Sequence, residues 1–366
     1  MPIPRFAQTL GRNASVLMAV AVAATLVTFV ARQAGANEVL VFVASAVALA
    51  GLAGLVGEAT DELGSHMGPG ATGVLQSALG NLPELFISIF ALQAGLVTVV
   101  QTALVGSILA NSLLVLGLAF LLGGLRNGVQ RFEAEPVRMM AILIVLAVGA
   151  LLIPTLATQP GAPDVGHQVD LSEEVAVVLL VVFAASIPYS IRGGPGASAI
   201  GTHVAEGEAW PLALSLAVLA LSAAGAAVVS DWFVEALRPA MASLGLSEEF
   251  VGLVIVAIAG NAVENVVGVQ MALRDRMDLA VSLILNSSLQ VAVALTPALV
   301  LVSLVLGGPA LTLILPPLLL GALGLTAILG AMVVFDGEST WLEGLALVGL
   351  YLIIAASVWY GPPVQA

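Results

Sequence analysis

Two glutamates at matching places in the chain, Glu84 and Glu264, have the side chains best suited to chemistry. Each ends a Gly-Asn-x-x-Glu phrase, at 80–84 and again at 260–264, inside an otherwise apolar segment of membrane length. A carboxylate in the middle of a bilayer costs free energy and marks a functional site by default. Two carboxylates in the same local sequence therefore indicate an ion site within the membrane.

A second polar cluster follows each glutamate at the same spacing. Ser107 lies 23 residues after Glu84, and Ser287 lies 23 residues after Glu264. The remaining polar members are Asn111 in the first cluster and Asn286, Ser288 and Gln290 in the second. Because the glutamates and the serines are each displaced by 180 residues, the chain is interpreted as a duplicated unit.

Oxygen atoms are the only ligands that these residues offer. Asn81 and Glu84 are three positions apart and share a helical face, as do Asn261 and Glu264. The glycines and the proline of the two phrases weaken the helix and release backbone carbonyls, which membrane depth tolerates only where they line a cavity. Carboxylates, amides, hydroxyls and carbonyls suit calcium, which takes roughly six to eight oxygens.

Charge balance favours a divalent ion that competes with protons. One calcium ion neutralises Glu84 and Glu264 together, and two protons neutralise them equally well. Burial and a second carboxylate nearby both favour the protonated form of a carboxyl, so the metal-free site is expected to hold protons near neutral pH. If an empty, doubly charged site is too costly to carry across the membrane, this competition becomes obligatory exchange.

Membrane-spanning helices must position these residues. The chain is 60% hydrophobic and 9% charged, with a mean hydropathy of +1.11, which excludes a water-soluble domain of 366 residues. Long unbroken apolar runs favour helices of about 20 residues over a barrel of short strands. The sequence predicts an all-α polytopic membrane protein with eleven transmembrane helices near 14–31, 38–57, 71–93, 98–123, 138–156, 173–191, 210–229, 248–271, 278–306, 309–335 and 340–359.

The arginines predict a cytoplasmic amino terminus. With that orientation eight of the ten basic residues lie inside, and only Arg32 and Arg238 lie outside. Arg5 and Arg12 before the first apolar run also resemble a secretory signal, but the run is longer than a usual signal core, so a retained helix is favoured. Cleavage of the first helix as a signal would leave ten helices, and their orientation in the membrane would be unchanged.

The helices that carry Glu84 and Glu264 are then predicted to run in opposite directions. The predicted parts are an N-terminal helix with its lead-in at 1–37, a first repeat at 38–191, a cytoplasmic linker at 192–209 and a second repeat at 210–366. The core is thus ten helices in two inverted five-helix repeats. Such repeats place a substrate site near the midplane and open it to each side in turn.

Other classes of protein fit less well. The chain has no cysteine, which excludes disulfides, thiolate metal sites and thiol catalysis. It also lacks the motifs of an intramembrane hydrolase, so no enzyme is expected, and nothing in it suggests nucleic-acid binding. A cation channel lined by carboxylates stays an alternative, as do two acids that only hydrogen-bond helices together.

The two signature regions, 80–111 and 250–290, resemble those of the cation/proton exchangers of the calcium/cation antiporter superfamily, and the similarity extends over about 44–306. The resemblance implies an eleven-helix fold and proton-driven calcium transport, with calcium as the transported ion and no cofactor. It implies that Glu84 and Glu264 hold calcium and protons in turn. The supporting polar residues are Asn81, Asn261, Ser107, Ser287 and Gln290, and Asn111 of the first cluster completes the set.

Further acids match accessory positions of that family. Asp61 lies where a glutamate is usual, and Asp231 also matches an acidic position. Both are interpreted as way-stations for cations or protons, together with Glu58 beside Asp61. The alternative is that they cap helices or are solvated at helix ends.

Some residues depart from the family pattern. Asn265 stands where histidine is common, which removes a titratable neighbour of Glu264. Leu82 and Pro83 are closer to the sodium/calcium exchanger branch, so sodium is the main rival coupling ion. Asn286 replaces a usual glycine, and the short linker predicts no regulation there. The expected partners are calcium, protons and the lipid bilayer, in a bacterial cytoplasmic membrane, and a homo-oligomer is left open.

Overall fold

Helices make up nearly all of the structure, a computed structural model that describes residues 5–67, 75, 79–162, 164–191 and 210–360. In chain order they are α1 Arg5–Gln33, α2 Glu38–Gly64, α3 Leu82–Gln93, α4 Val97–Asn127, α5 Ala134–Ala157, α6 Gln168–Ile191, α7 Leu212–Leu244, α8 Glu248–Gly260, α9 Ala262–Leu273, α10 Met277–Val305, α11 Pro317–Val333 and α12 Trp341–Trp359. Two strands of two residues, β1 Gln130–Arg131 and β2 Glu338–Ser339, pair antiparallel. The predicted helical class is confirmed.

Most of these helices have the length and composition of membrane spans. Within the described ranges, eight helices are long and apolar enough to cross a bilayer, or nine if α8 and α9, which are bent by 63° at their junction, form one span. The shorter apolar helices are α3 and α11, with 12 and 17 residues. The count of eleven stays a prediction, because residues 71–74 and 76–78 of the third predicted span lie outside the described residues. The predicted linker at 192–209 lies outside them as well.

The tenth predicted span, 309–335, is helical only from Pro317 onward. The stretch from 309 to 316, called here the 309–316 segment, is extended and its alternate leucines are buried. Prolines at both of its ends disfavour the helical conformation of the preceding residue. The expectation of a helix over 309–316 is therefore wrong.

Side chains from neighbouring helices bond the backbone of the 309–316 segment. The Thr155 hydroxyl donates to the Leu313 carbonyl at 2.9 Å and accepts from the Leu315 amide at 2.8 Å. The Ser172 hydroxyl accepts from the Leu313 amide at 3.0 Å. Gln101 of α4 donates to the Thr312 carbonyl at 2.7 Å. These bonds take the place of the backbone hydrogen bonds of a helix. Backbone N–H and C=O groups in an apolar environment need such partners.

The segments that carry the repeated phrases fold alike. α3 and α9 both have 12 residues and begin 180 positions apart, and α4 and α10 begin with the same offset. α4 contains a π-helical stretch at Ala110–Val115, and α10 contains one at Val291–Leu295. The spacing of the repeated sequence is thus also the spacing of the repeated structure.

Glycines bring α4 and α8 into backbone contact. A β-carbon placed on Gly106 would lie 2.3 Å from the Leu253 carbonyl oxygen, and one on Gly252 would lie 1.9 Å from the Thr102 hydroxyl. Neither position has room for a larger residue. Small residues at helix crossings permit this approach in membrane proteins, where close packing drives association. The crossing carries the polar cluster of α4 toward the break between α8 and α9.

Candidate ion site

Two asparagines interrupt the helices at the repeated phrases. Asn81 precedes α3 with φ −94° and ψ 16°, and Asn261 separates α8 from α9 with φ −107° and ψ 22°. Neither side chain caps its own helix, so both amides are directed to other partners. Glu84 and Glu264 lie in the first turns of α3 and α9. The positive end of the helix dipole favours a carboxylate or a bound anion there.

Glu84, the last residue of the first repeated phrase, is 1% exposed and lies against the second phrase. Its Oε1 accepts a hydrogen bond from the Ser107 hydroxyl of α4. Its side chain packs against Gly260, where a β-carbon would lie 3.5 Å from Cβ and Cγ of Glu84. Its Oε2 is buried and has no hydrogen-bond partner among the described residues. A buried oxygen without a donor is costly, and a proton or a cation would satisfy it.

A chain of buried hydrogen bonds leads away from Glu84. The Asn261 amide donates to the Ser107 hydroxyl at 2.9 Å, and the Ser287 hydroxyl of α10 donates to Asn261 Oδ1 at 3.4 Å. The Asn111 amide donates to the Ser287 hydroxyl at 2.9 Å and to Asn261 Oδ1 at 3.3 Å. The chain links α3, α4, α10 and the α8–α9 break. Asn111 Oδ1 is a second buried oxygen for which the described residues provide no donor.

A separate amide pair joins the start of α3 to α10. The Asn81 amide donates to Gln290 Oε1 at 3.1 Å. Asn81 is partly buried and Gln290 is 7% exposed. A second polar contact, in addition to the chain of hydrogen bonds from Glu84, therefore joins the first repeated phrase to α10.

Glu264 is partly buried and lies within electrostatic range of Glu84 and Asp61. Asp61 and Glu58, near the end of α2, also lie within electrostatic range of each other. Asp231 is exposed on α7, and in the described part of the chain no hydrogen bond joins it to the cluster. The structure therefore connects five of the eight predicted site residues by hydrogen bonds, pairs Asn81 with Gln290 separately, and places Glu264 within electrostatic range of Glu84. Asp61 lies within electrostatic range of Glu264 and Glu58, whereas Asp231 has no such link to the site among the described residues.

A buried hydroxyl pair consists of Ser288, which the sequence analysis named in the second polar cluster, and Ser112, which it did not name. The hydroxyls of Ser112 on α4 and Ser288 on α10 lie 3.1 Å apart and join the two helices next to the ion site. Ser112 directly follows Asn111, and Ser288 directly follows Ser287. The sequence alone does not show that the two hydroxyls meet, because that depends on how α4 and α10 cross. Among the described residues no group of three or more histidine, cysteine and acidic side chains could hold a metal. Besides the carboxylates, the described residues offer amide and hydroxyl oxygens as ligands for a cation here.

A bundle of apolar helices with carboxylates and amides at two helix breaks defines an integral membrane transporter as the class of protein. The chain belongs to the sodium/calcium exchanger protein family, whose model matches residues 37–192 and 214–360. The predicted membership of the exchanger superfamily is confirmed.

Similar proteins extend over almost the whole chain. A Ca(2+)/H(+) antiporter of Synechocystis sp. is 36% identical over 356 residues, which are 92% of this chain and 95% of that relative. The Ca(2+)/H(+) antiporter ChaA of Bacillus subtilis is 31% identical over 321 residues, which are 86% of this chain and 91% of that relative. The solved structure of native YfkE matches with a TM-score of 0.81 at 28% identity, over 94% of this chain and 99% of that one.

Proposed function

We propose that the protein is a secondary antiporter that exchanges calcium for protons at a site formed by Glu84 and Glu264 near the middle of the membrane. The observation that carries the proposal is the Oε2 atom of Glu84. It is buried and has no hydrogen-bond partner among the described residues, and the carbons of the same side chain lie against Gly260 of the second repeated phrase. A transporter keeps such an atom because its missing partner is the transported ion.

The oxygens around Glu84 suit calcium. Glu84 and Glu264 supply two carboxylates within electrostatic range of each other, and Asn111 Oδ1 supplies a buried amide oxygen without a donor. Calcium accepts roughly six to eight oxygens in a flexible arrangement, whereas thiolates and imidazoles are the preferred ligands of zinc. Protons compete for the same two carboxylates, and this competition couples the two gradients.

Alternating access follows from two inverted repeats, which we also propose here. In support, α3 and α9 have equal length and equal offset, and π-helical stretches recur in α4 and α10. If every predicted span crosses the bilayer, α3 and α9 point in opposite directions. Exchange of conformation between the repeats then opens the same site to one side and afterwards to the other.

Asp61 and Glu58 form the proposed accessory path from the cytoplasm. Asp61 is within electrostatic range of Glu264, and Glu58 is within electrostatic range of Asp61. A row of acids draws cations and relays protons toward a buried site. The exposed position of Asp231 offers no comparable link.

Protons are the favoured coupling ion because the relatives from Synechocystis and Bacillus subtilis are described as Ca(2+)/H(+) antiporters. Sodium is the second candidate, since the family is described as a sodium/calcium exchanger and Leu82 and Pro83 are closer to that branch. Both relatives and the skew of the arginines support a bacterial cytoplasmic membrane with the amino terminus inside.

Proteoliposomes loaded with the purified protein test this proposal. We expect an imposed pH gradient to drive calcium uptake, and a sodium gradient alone to drive none. Glu84→Gln and Glu264→Gln should each reduce the rate by on the order of a hundredfold, because each removes a charge that neutralises calcium. Glu174→Gln, an exposed glutamate of α6, is the matched control and should retain the wild-type rate.

Other results would change the assignment. Uptake that follows sodium alone identifies a sodium/calcium exchanger, and calcium flux without any counter-ion identifies a channel. Wild-type exchange rates in both glutamine variants would remove the proposed site.

A further inference from the structure

The two polar clusters match in sequence, but their hydrogen bonds do not match. Ser107 donates to Glu84, the glutamate of its own repeat. Ser287 occupies the equivalent place in the second repeat, yet it donates to Asn261. In the described part of the chain no hydroxyl donates to Glu264. The two glutamates are thus held differently although their sequence spacing is the same.

Asn111 accounts for the difference. Its amide donates to the Ser287 hydroxyl at 2.9 Å and to Asn261 Oδ1 at 3.3 Å, so Ser287 and Asn261 are held together. The residue 180 positions later is Val291, which has no polar side chain. Nothing equivalent therefore holds Ser107 away from Glu84.

A second amide adds to this asymmetry. Gln290 accepts from Asn81 at 3.1 Å, and the residue 180 positions earlier is Ala110. Asn111 lies in the π-helical stretch of α4, and Gln290 lies directly before that of α10. π-Helical stretches re-aim side chains and are frequent at functional sites. Both amides point across to the other repeat, where each engages an asparagine of a repeated phrase.

We propose that Asn111 is a positioning residue that makes the two glutamates of the ion site unequal. Asn111 holds the Ser287 hydroxyl in its hydrogen bond to Asn261. In the described part of the chain Glu264 therefore has no hydroxyl donor equivalent to Ser107, which anchors Glu84. Glu84 becomes the fixed ligand, oriented by Ser107. Glu264 lacks such a hydroxyl among the described residues and becomes the more mobile of the two carboxylates.

This inference rests on the proposed calcium site, and double-mutant cycles on calcium affinity test it. Substitution of a glutamate by aspartate keeps the charge and withdraws the carboxylate by one methylene group. Glu84→Asp combined with Ser107→Ala should show a coupling of about fivefold or more in the calcium Kd, because the two side chains share a bond. Glu264→Asp combined with Ser287→Ala should show a coupling within about twofold.

Replacement of Asn111 by valine, the residue at the equivalent position 291, then tests whether Asn111 causes the difference between the two glutamates. In Asn111→Val the Ser287 hydroxyl is released, and its coupling to Glu264 should rise to about fivefold. Asn111→Ser is the second variant, since serine is too short to hold Ser287 and keeps a polar group in the cluster. Ser222→Ala on α7 is the control, because the buried Ser222 hydroxyl donates to carbonyls of its own helix, and it should leave both couplings at their wild-type values. Gel filtration and thermal unfolding in detergent verify that each variant is folded.

The outcomes separate the two proposals. Equal coupling in the two wild-type cycles, or no rise for Glu264 in either Asn111 variant, overturns the role of Asn111. An unchanged calcium Kd in both Glu84→Asp and Glu264→Asp overturns the calcium site itself.

Discussion

Glu84 packs against Gly260, and a β-carbon on that glycine would lie 3.5 Å from Cβ and Cγ of Glu84. This is ordinary van der Waals contact, so the gap accepts a methyl group without displacement of Glu84. The glycine of the second repeated phrase therefore sets how closely the first phrase approaches. Its small size allows Glu84 to reach the break between α8 and α9.

A graded series at Gly260 tests this contact. Gly260→Ala should keep the calcium Kd within about twofold, because a methyl group fits without displacing Glu84. Gly260→Leu should weaken calcium binding by on the order of a hundredfold, because a displacement of about 1 Å misaligns the carboxylate. Isothermal titration of the detergent-solubilised protein measures both values. Tight calcium binding by the leucine variant would contradict the assignment of Glu84 as a ligand.

The crossing of α4 and α8 predicts a loss of stability in Gly106→Ala. The added β-carbon would lie 2.3 Å from the Leu253 carbonyl oxygen and 2.6 Å from its Cα, so the two backbones must separate. Overpacking of this kind costs about 1–3 kcal/mol. Thermal unfolding in detergent should show a lower Tm for this variant.

Gly149→Ala is the matched control for that measurement. A β-carbon at Gly149 of α5 meets no atom within 4 Å, and alanine favours the helix over glycine by about 1 kcal/mol. Its Tm should be unchanged or raised. Similar melting of the two variants would show that the α4–α8 crossing has more room than the structure indicates.

Apolar length predicted most of the helices, because a segment that crosses a bilayer must be both long and apolar. The spans predicted at 98–123 and 278–306 agree with α4 and α10. The same criterion is wrong over the 309–316 segment, which is apolar but extended. Its backbone bonds come from Thr155 and Ser172, which are far away in sequence and invisible to any local pattern.

In the candidate site, too, local sequence predicted some features, whereas others depend on contacts between residues that are far apart in the chain. Spacing predicted that Asn81, Glu84 and Ser107 have equivalents in the second repeat, since a duplicated sequence repeats its local structure. The hydrogen bonds of the two clusters nevertheless differ, since Ser107 donates to Glu84 and Ser287 donates to Asn261. The partners of a side chain depend on the helix that faces it, and Asn111 and Gln290 have apolar counterparts in the other repeat.

The 309–316 segment provides the last prediction, since Thr155 forms two of its backbone hydrogen bonds. Thr155→Val keeps the shape of the side chain and leaves the Leu313 carbonyl and the buried Leu315 amide without this partner. Each lost partner costs about 1–3 kcal/mol, so the Tm in detergent should fall clearly. The calcium Kd should change by less than about twofold, because Thr155 does not contact the ion site.

Thr326→Val on α11 separates lost hydrogen bonds from the substitution itself. The Thr326 hydroxyl is fully buried, and no partner for it is found among the described residues. Removal of an unpaired buried hydroxyl is neutral or stabilising, because its desolvation cost disappears. The Tm of this variant should therefore equal or exceed that of the wild type. A Tm of Thr155→Val as high as that of Thr326→Val would mean that other groups hold the 309–316 segment in its extended form.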